Sequence, residues 1–191
     1  MSKPIPRDKL LEVSTRKEWR AWLRKNYRRA DEVWLVYHKK HTGNPRVEYN
    51  DAVEEALCFG WIDSTARTID DDRFAQRFSP RRPKSNWSQT NIVRLRALLA
   101  QGKVAKDVLP TLPDLTEHDF IVPDDILAAI KANREAWKHF KAFSETYVQI
   151  RVAFIDAARA RPEVFNKRLA YFLRMTEQGK RYGFGGVDKH F

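Results

Sequence analysis

The spacing of the apolar residues changes along this chain of 191 residues, and that change limits the folds it can adopt. In the first part, short runs rich in β-branched and aromatic residues alternate with segments of helical spacing. From residue 123 onward, every segment before the tail has the spacing of a helix. We therefore predict an α+β protein, with a small antiparallel sheet and packed helices in the N-terminal part, followed by an all-helical C-terminal part.

Three runs predict the strands of the sheet. Residues 32–38 form the first run, and residues 61–69 and 73–78 form two more on either side of a turn of three aspartates. The last two runs fit an antiparallel hairpin. In the final run Phe74, Gln76 and Phe78 should face one way, and Arg73 and Arg77 should share the other face of the sheet with Ala75.

Helix signals fill most of the remaining chain. Ser14 or Thr15 is expected to cap one helix, with Glu18 completing a capping-box pattern three residues after Thr15, and Asn50 or Asp51 is expected to cap a second helix. The later helices are expected at residues 90–101, 124–133, 135–143, 145–160 and 163–178. The predicted organisation is a core domain (13–106), a proline-containing connector (107–122), a helical subdomain (123–180) and a flexible tail (181–191).

The composition restricts the partners and the location of the protein. The formal net charge is +11 and the pI about 9.9, which favours nucleic acid, acidic surfaces or phosphorylated ligands as partners. Cys58 is the one cysteine, so an internal disulfide and a cysteine-based zinc site are excluded. The sequence shows neither an export signal nor an apolar run long enough to cross a bilayer. We expect a cytoplasmic protein with no metal, no cofactor and no membrane insertion.

A basic arm (residues 79–88) connects the hairpin to the third helix. Two prolines stiffen it, three cations crowd it, and Ser and Asn residues precede the helix. A helix start offers unpaired backbone N–H groups and the positive end of a dipole, so this arrangement predicts a site for phosphate or another anion. Trp87 is either a ring platform beside that site or a hydrophobic staple. The predicted ligand residues of the arm are Arg81, Arg82, Lys84, Ser85, Asn86 and Trp87.

A second predicted constellation lies on the hairpin. If strand alternation holds throughout, Trp61, Asp63 and Arg67 project to one face of the sheet, with Arg77 on the neighbouring strand. Such a group could stack a ring and bind its polar edge, or hold a phosphate beside a general base. The alternative is structural, with Asp63 and Arg67 as an ion pair and Trp61 in the core.

The same segments carry a family resemblance. Residues 54–64 and 76–88, with the upstream block 33–40, resemble the bacterial YdeI/OmpD-associated, or bacteriocin-protection, proteins. The resemblance covers most of residues 14–105, and the C-terminal helices fit it more loosely. It implies no defined catalytic activity, and its name implies a role in stress or bacteriocin tolerance.

Three functions remain open on the sequence. The first is a basic binding module for a phosphate-rich ligand, with nucleic acid as the leading partner. The second is a small-molecule-binding protein, or an enzyme of unrecognised type, with a pocket around the Trp, Asp and Arg residues of the hairpin and arm. The third is an adaptor whose C-terminal helices bind an acidic protein partner.

Overall fold

The computed structural model describes residues 5–83, 85–116 and 120–183. Most of the predicted tail (184–191) and Lys84 of the basic arm lie outside the described residues. The chain divides into two compact units. The first contains Met1–Asn86 and Leu95–Asp114, and the second contains Trp87–Arg94 and Leu115–Phe191.

A four-stranded sheet forms the centre of the first unit. The helices and strands of this part of the unit are, in chain order, β1 (Leu10–Leu11), α1 (Arg16–Asn26), β2 (Val33–His38), α2 (Tyr49–Cys58), β3 (Trp61–Thr68) and β4 (Arg73–Pro80). The strand order is β1-β2-β4-β3, with antiparallel pairs except for the two-residue β1, which runs parallel to β2. Helix α3 (Gln89–Ala100) follows the basic arm and contributes residues to both units. The predicted α+β class and the hairpin are confirmed.

A β-bulge interrupts the hairpin. Asp63 pairs with Phe78 and Ala66 pairs with Gln76, so three steps along β3 match two steps along β4. The extra residue reverses the alternation of β3 from that point onward. Two odd-numbered residues of β3, one before the bulge and one after it, therefore have their side chains on opposite faces of the sheet.

Aromatic side chains fill the space between the sheet and α1. Trp19 is fully buried, stacks on Trp22 with ring centres 5.5 Å apart, and lies 5.2 Å from the ring of Phe78. The rings of Trp61 and Trp22 are nearly perpendicular, with their centres 5.8 Å apart. These contacts fix which face of α1 points inward. The capping box of Thr15 and Glu18 fixes where the helix begins, as predicted.

A buried carboxylate links α1 to α2. Glu55 is 3% exposed and accepts hydrogen bonds from Arg16 Nε at 2.6 Å and from Arg20 Nη1 at 2.5 Å. Arg16 also contacts Asp51 at 2.6 Å and Glu54 at 2.9 Å. Burial by itself lowers the pKa of Arg16, but the hydrogen bond to Glu55 and the surrounding carboxylates outweigh it and raise that pKa.

The predicted cap of α2 is wrong. The helix begins at Tyr49, before Asn50 and Asp51, and among the described residues no side chain caps its first turn. Asp51 points instead to Arg16, because an ion pair with a half-buried guanidinium replaces the local hydrogen bond of a cap. The same carboxylate also lies in the first turn, where negative charge is favourable.

Four helices form the second unit together with the start of α3. They are α4 (Asp124–Ala132), α5 (Arg134–Phe140), α6 (Glu145–Asp156) and α7 (Pro162–Glu177), each at or close to its predicted position. Their shared core contains Ile126, Ile130, Val152, Ile155 and Phe172. Within the described part of the chain, no helix has the length and apolar character needed to cross a membrane.

Glu55→Gln should destabilise the protein by about 3 kcal/mol, because it leaves two partly buried guanidinium groups short of their shared carboxylate. Urea unfolding followed by tryptophan fluorescence measures the loss as a shift in midpoint at unchanged slope. Asp71→Asn is the matched control, since it removes the same charge from an exposed turn and should change the stability by less than about 0.5 kcal/mol. Equal effects of the two substitutions would contradict the role given to Glu55.

Cys58 should make the stability fall at alkaline pH. Burial raises the pKa of its thiol from 9.0 to about 11, and the charge of Glu55 adds to this effect. The folded protein then keeps a proton that the unfolded chain loses, so the contribution is fully present below pH 9 and is lost as the pH rises to 11. Cys58→Ala should reduce the slope of the urea stability profile between pH 9 and 11 by this contribution, while the share of Tyr37, whose pKa burial also raises, should remain. A constant difference in stability between the two proteins across this range would refute the assignment.

Candidate functional site

The structure places Trp61 in the core. Its side chain is 1% exposed, and its indole Nε1 donates a hydrogen bond to the carbonyl of Tyr27 at 3.1 Å. The ring packs edge-on against Trp22. The indole ring and its N–H group therefore both have partners within the protein. This is the structural alternative given above, with Trp61 in the core.

The prediction that Trp61, Asp63 and Arg67 share one face is wrong, because the β-bulge separates Asp63 from Arg67. Asp63 accepts a hydrogen bond from the hydroxyl of Tyr49 at 2.8 Å. Arg67 lies on the other face, with its guanidinium carbon 5.0 Å from the ring centre of Trp34. The two residues thus contact different partners, and the ion pair of the structural alternative does not form either.

The arginines that enter the basic arm contact groups of the protein itself. Arg77 Nε donates to Glu32 at 2.6 Å. The backbone N–H of Arg81 donates to the carbonyl of Gly60 at 2.9 Å, and its guanidinium donates to the carbonyl of Asn86. Burial lowers the pKa of Arg81. The Arg81 side chain therefore closes the arm into a loop.

The rest of the arm is more open. Arg82 and Asn86 are exposed, and the N–H of Ser85 donates to the carbonyl of Arg82 at 3.2 Å. Trp87 is half-buried in the second unit. Ser88 caps α3 by accepting from the N–H of Asn91 at 3.3 Å. The N–H of Asn91, one of the groups at the helix start that were expected to bind an anion, thus has an acceptor within the protein. Arg82 is the exposed arginine of the arm.

A basic cleft of about 580 Å³ lies elsewhere on the first unit. The second half of α1, the turn after it and the loop after α3 form its walls. Its lining consists of Arg20, Arg24, Lys25, Tyr27, Arg28, Arg29, Phe59, Gly102, Lys103, Val104, Ala105 and Lys106.

One side-chain hydrogen bond and one backbone hydrogen bond hold the walls of the basic cleft together. Arg20 Nη2 donates to the carbonyl of Lys103 at 2.9 Å, while its Nη1 binds Glu55. The N–H of Ala105 donates to the carbonyl of Cys58 at 2.9 Å. The loop after α3 is therefore tied both to α1 and to the end of α2, so the cations at 103 and 106 are held opposite those of α1 on a fixed backbone.

The cations of the basic cleft fall into two groups. Arg20 pairs with Glu55, and Arg28 contacts Asp107 at 2.9 Å. Hydrogen bonds from Arg28 and Tyr27 lower the pKa of Asp107. The other group has no ion pair with any residue that the structure describes, and its members are Arg24, Lys25, Arg29, Lys103 and Lys106.

Two aromatic rings form an apolar side to the cleft. The rings of Tyr27 and Phe59 are 5.1 Å apart. The guanidinium carbon of Arg20 lies 5.2 Å from the ring centre of Phe59, and that of Arg28 lies 5.1 Å from that of Tyr27. Stacking on rings holds these arginines in place, so the apolar side supports the charged one.

Sequence reasoning missed the basic cleft, although part of its signal was present. Basic residues recur at positions 20, 24, 25, 28 and 29, a spacing that gathers them on one side of a helix and its exit turn. The positions 103 and 106 could not be assigned to the same place, because they lie some 75 residues away in the chain. Among the described residues, no group of three His, Cys, Asp or Glu side chains could hold a metal ion.

Two family models match the chain. A domain of unknown function, DUF8412, matches residues 11–110, and the family described as Bacteriocin-protection, YdeI or OmpD-Associated matches residues 119–179. No curated protein and no solved structure matches it.

The second match confirms the family that the sequence resembles, but it lies on a different segment from the one that the prediction used. The YdeI or OmpD-associated match lies on the C-terminal helices, whereas the prediction rested on residues 54–64 and 76–88. Those residues fall within the first match, which covers more than half of the 191 residues. The chain therefore belongs to the family defined by the domain of unknown function DUF8412, and its residues 119–179 are similar to the YdeI or OmpD-associated family.

Proposed function

We propose that the protein is a basic binding module that holds the phosphate groups of a nucleic acid in the basic cleft. The observation that carries the proposal is the group of five cations without an ion pair in the described structure, all of which line one cleft. Elsewhere in the first unit several arginines have carboxylate partners, as Arg16, Arg73 and Arg77 show.

The energetics of such a cluster favour an external anion. Like charges that share a cleft repel one another, and a phosphate-rich ligand converts that repulsion into attraction. Arg24, Lys25 and Arg29 are exposed, so they stay hydrated until the ligand arrives and pay no burial cost in the free protein. Binding then gains from the release of counterions and weakens as salt rises.

The extent of the cleft favours a chain of phosphates over a single one. Its cations come from more than one turn of α1, from the turn that follows and from the loop after α3. A lone phosphate would contact only part of this set, whereas successive phosphates of one strand can contact all of it. A nucleic-acid ligand also agrees with the cytoplasmic location that we predict.

The basic arm remains a second candidate for the phosphate contact. Arg82 is its exposed guanidinium, and the arm leaves the sheet beside the start of β3. We propose that it adds one contact outside the cleft. The description of the C-terminal family as bacteriocin-protection suggests tolerance to bacteriocins or stress as the setting for this binding.

Another role for two of these cations must be separated from binding. Arg24 and Lys25 lie in the last turn of α1, where positive charge favours the helix dipole. If that were their whole role, removing them would lower stability and leave binding unchanged.

The variant Arg24→Ala/Lys25→Ala/Arg29→Ala should weaken binding to a labelled single-stranded DNA of twenty nucleotides. Each cation that neutralises a phosphate contributes about 0.7 to the slope of log affinity against log salt, so the slope should fall by about 2. Fluorescence anisotropy between 50 and 200 mM salt measures it. Circular dichroism checks that the variant is folded.

The matched control is Arg7→Ala/Lys17→Ala/Lys40→Ala, which removes three exposed cations of the same unit from outside the cleft. Its slope should stay close to that of the native protein. Binding that both triple variants weaken equally would reflect net charge alone, and absence of binding at 50 mM salt would remove the proposal.

Arg82→Ala should reduce the slope by about one contact or less, because it removes one guanidinium from the edge of the ligand. The measurement is the same salt series. A loss as large as that of the cleft variant would move the phosphate site to the basic arm.

A further inference from the structure

Helix α7 carries two stripes of side chains. One stripe packs into the core of the second unit and contains Phe165, Leu169, Phe172, Leu173 and Thr176. The other lines a groove of about 610 Å³ and contains Val164, Lys167, Arg168, Tyr171 and Arg174. The spacing of the second stripe is also helical, so these five side chains follow one line along the helix.

The α7 groove exposes aromatic surface. Phe154 of α6 is 43% exposed and Tyr171 is 39% exposed, and both line the groove together with Ala170 and Tyr182. Tyr182 meets the ring of Tyr171 edge-on, with ring centres 4.7 Å apart. Exposed apolar side chains gathered in one concave place, unlike scattered ones, mark a surface for binding.

The charge of the α7 groove has one sign. Its lining includes the cations Lys167, Arg168 and Arg174 and, within the described part of the chain, no carboxylate. None of the three forms an ion pair with a described residue. The groove therefore presents an apolar floor and a positive edge, which complements a ligand with apolar and acidic side chains.

Stacking fixes the direction of the two arginines. The guanidinium carbon of Arg168 lies 3.7 Å from the ring centre of Phe154, and its Nη1 donates to the carbonyl of the same residue at 2.6 Å. Arg174 lies 5.1 Å from the ring centre of Tyr171. A guanidinium that stacks by its face keeps donors at its edge, and those donors match a carboxylate.

The same stacking disfavours a nucleobase as the occupant. A base binds by lying flat on an aromatic ring, and Arg168 already covers one face of Phe154. An aliphatic or aromatic side chain needs only the apolar floor around Val164, Ala170 and Tyr171. We therefore propose that the second unit binds an acidic amphipathic helix of a partner protein in the α7 groove, independently of the function proposed for the basic cleft.

The geometry of α7 also sets the pattern of that ligand. Positions 167 and 174 are seven residues apart, which is about 10 Å along a helix. A helix lying along the groove would meet these cations with acidic residues at positions i and i+7. Its apolar residues would lie between them at i+3 and i+4, on the side that enters the groove.

The test is a selection of peptides from a displayed random library of sixteen-residue sequences against the full-length protein. The variant Arg168→Glu/Arg174→Glu serves as the counter-selection. We expect enriched peptides with the i, i+7 acidic pattern and apolar residues between. Their affinity, measured by fluorescence anisotropy, should fall at least tenfold in the charge-reversal variant and in Tyr171→Ala.

Matched controls separate the α7 groove from net charge. Arg134→Glu/Lys141→Glu reverses two exposed charges of the same unit outside the groove and should change affinity less than twofold. Circular dichroism checks folding, and Arg174→Glu alone carries the test if Tyr171→Ala fails to fold, because Arg174 is an exposed side chain.

Three outcomes would overturn the proposal. The first is a selection without any peptide that depends on the groove. The second is equal binding by permuted peptides of the same composition, which would show attraction by charge alone. The third is single-stranded DNA whose binding is lost in Tyr171→Ala, which would assign the groove to nucleic acid.

Discussion

One buried carboxylate organises the first unit. Glu55 receives hydrogen bonds from Arg16 and Arg20, which lie one helical turn apart on α1, and Arg20 extends the contact to the loop after α3. The inner side of α1 is fixed by Trp19 against the sheet. Because contacts hold both sides of α1, its remaining basic residues point in a defined direction. The basic cleft thus depends on the same contacts that pack α1 against the core.

The sequence predicted those parts of the fold whose signals are local. The capping box of Thr15, the run that became β2 and the helical spacing of the C-terminal part each depend on residues within one or two turns of one another. The start of α2 could not be predicted in this way. Asp51 has a good capping side chain, but its partner Arg16 lies 35 positions away, and only the folded chain brings the two together.

The candidate site followed the same rule. The basic arm was a conspicuous local cluster, yet Arg77 and Arg81 contact Glu32 and the Asn86 carbonyl, groups that the spacing of charges does not reveal. The basic cleft joins residues 20–29 to residues 102–106, which are distant in the sequence, so the local pattern of charges contained only part of it. Net charge predicts a class of partner and no more, because the distribution of carboxylates decides which cations are available.

The bulge in β3 has a consequence for how this hairpin can vary. If the same sequence paired with β4 without the bulge, Arg67 would lie opposite Phe74 instead of Ala75 and would turn to the face that carries Trp61 and Asp63. A change in length elsewhere in β3 would shift this register, whereas an exchange of side chain would leave it in place. The register therefore keeps Asp63, which binds Tyr49, on one face of the sheet and Arg67, which stacks on Trp34, on the other.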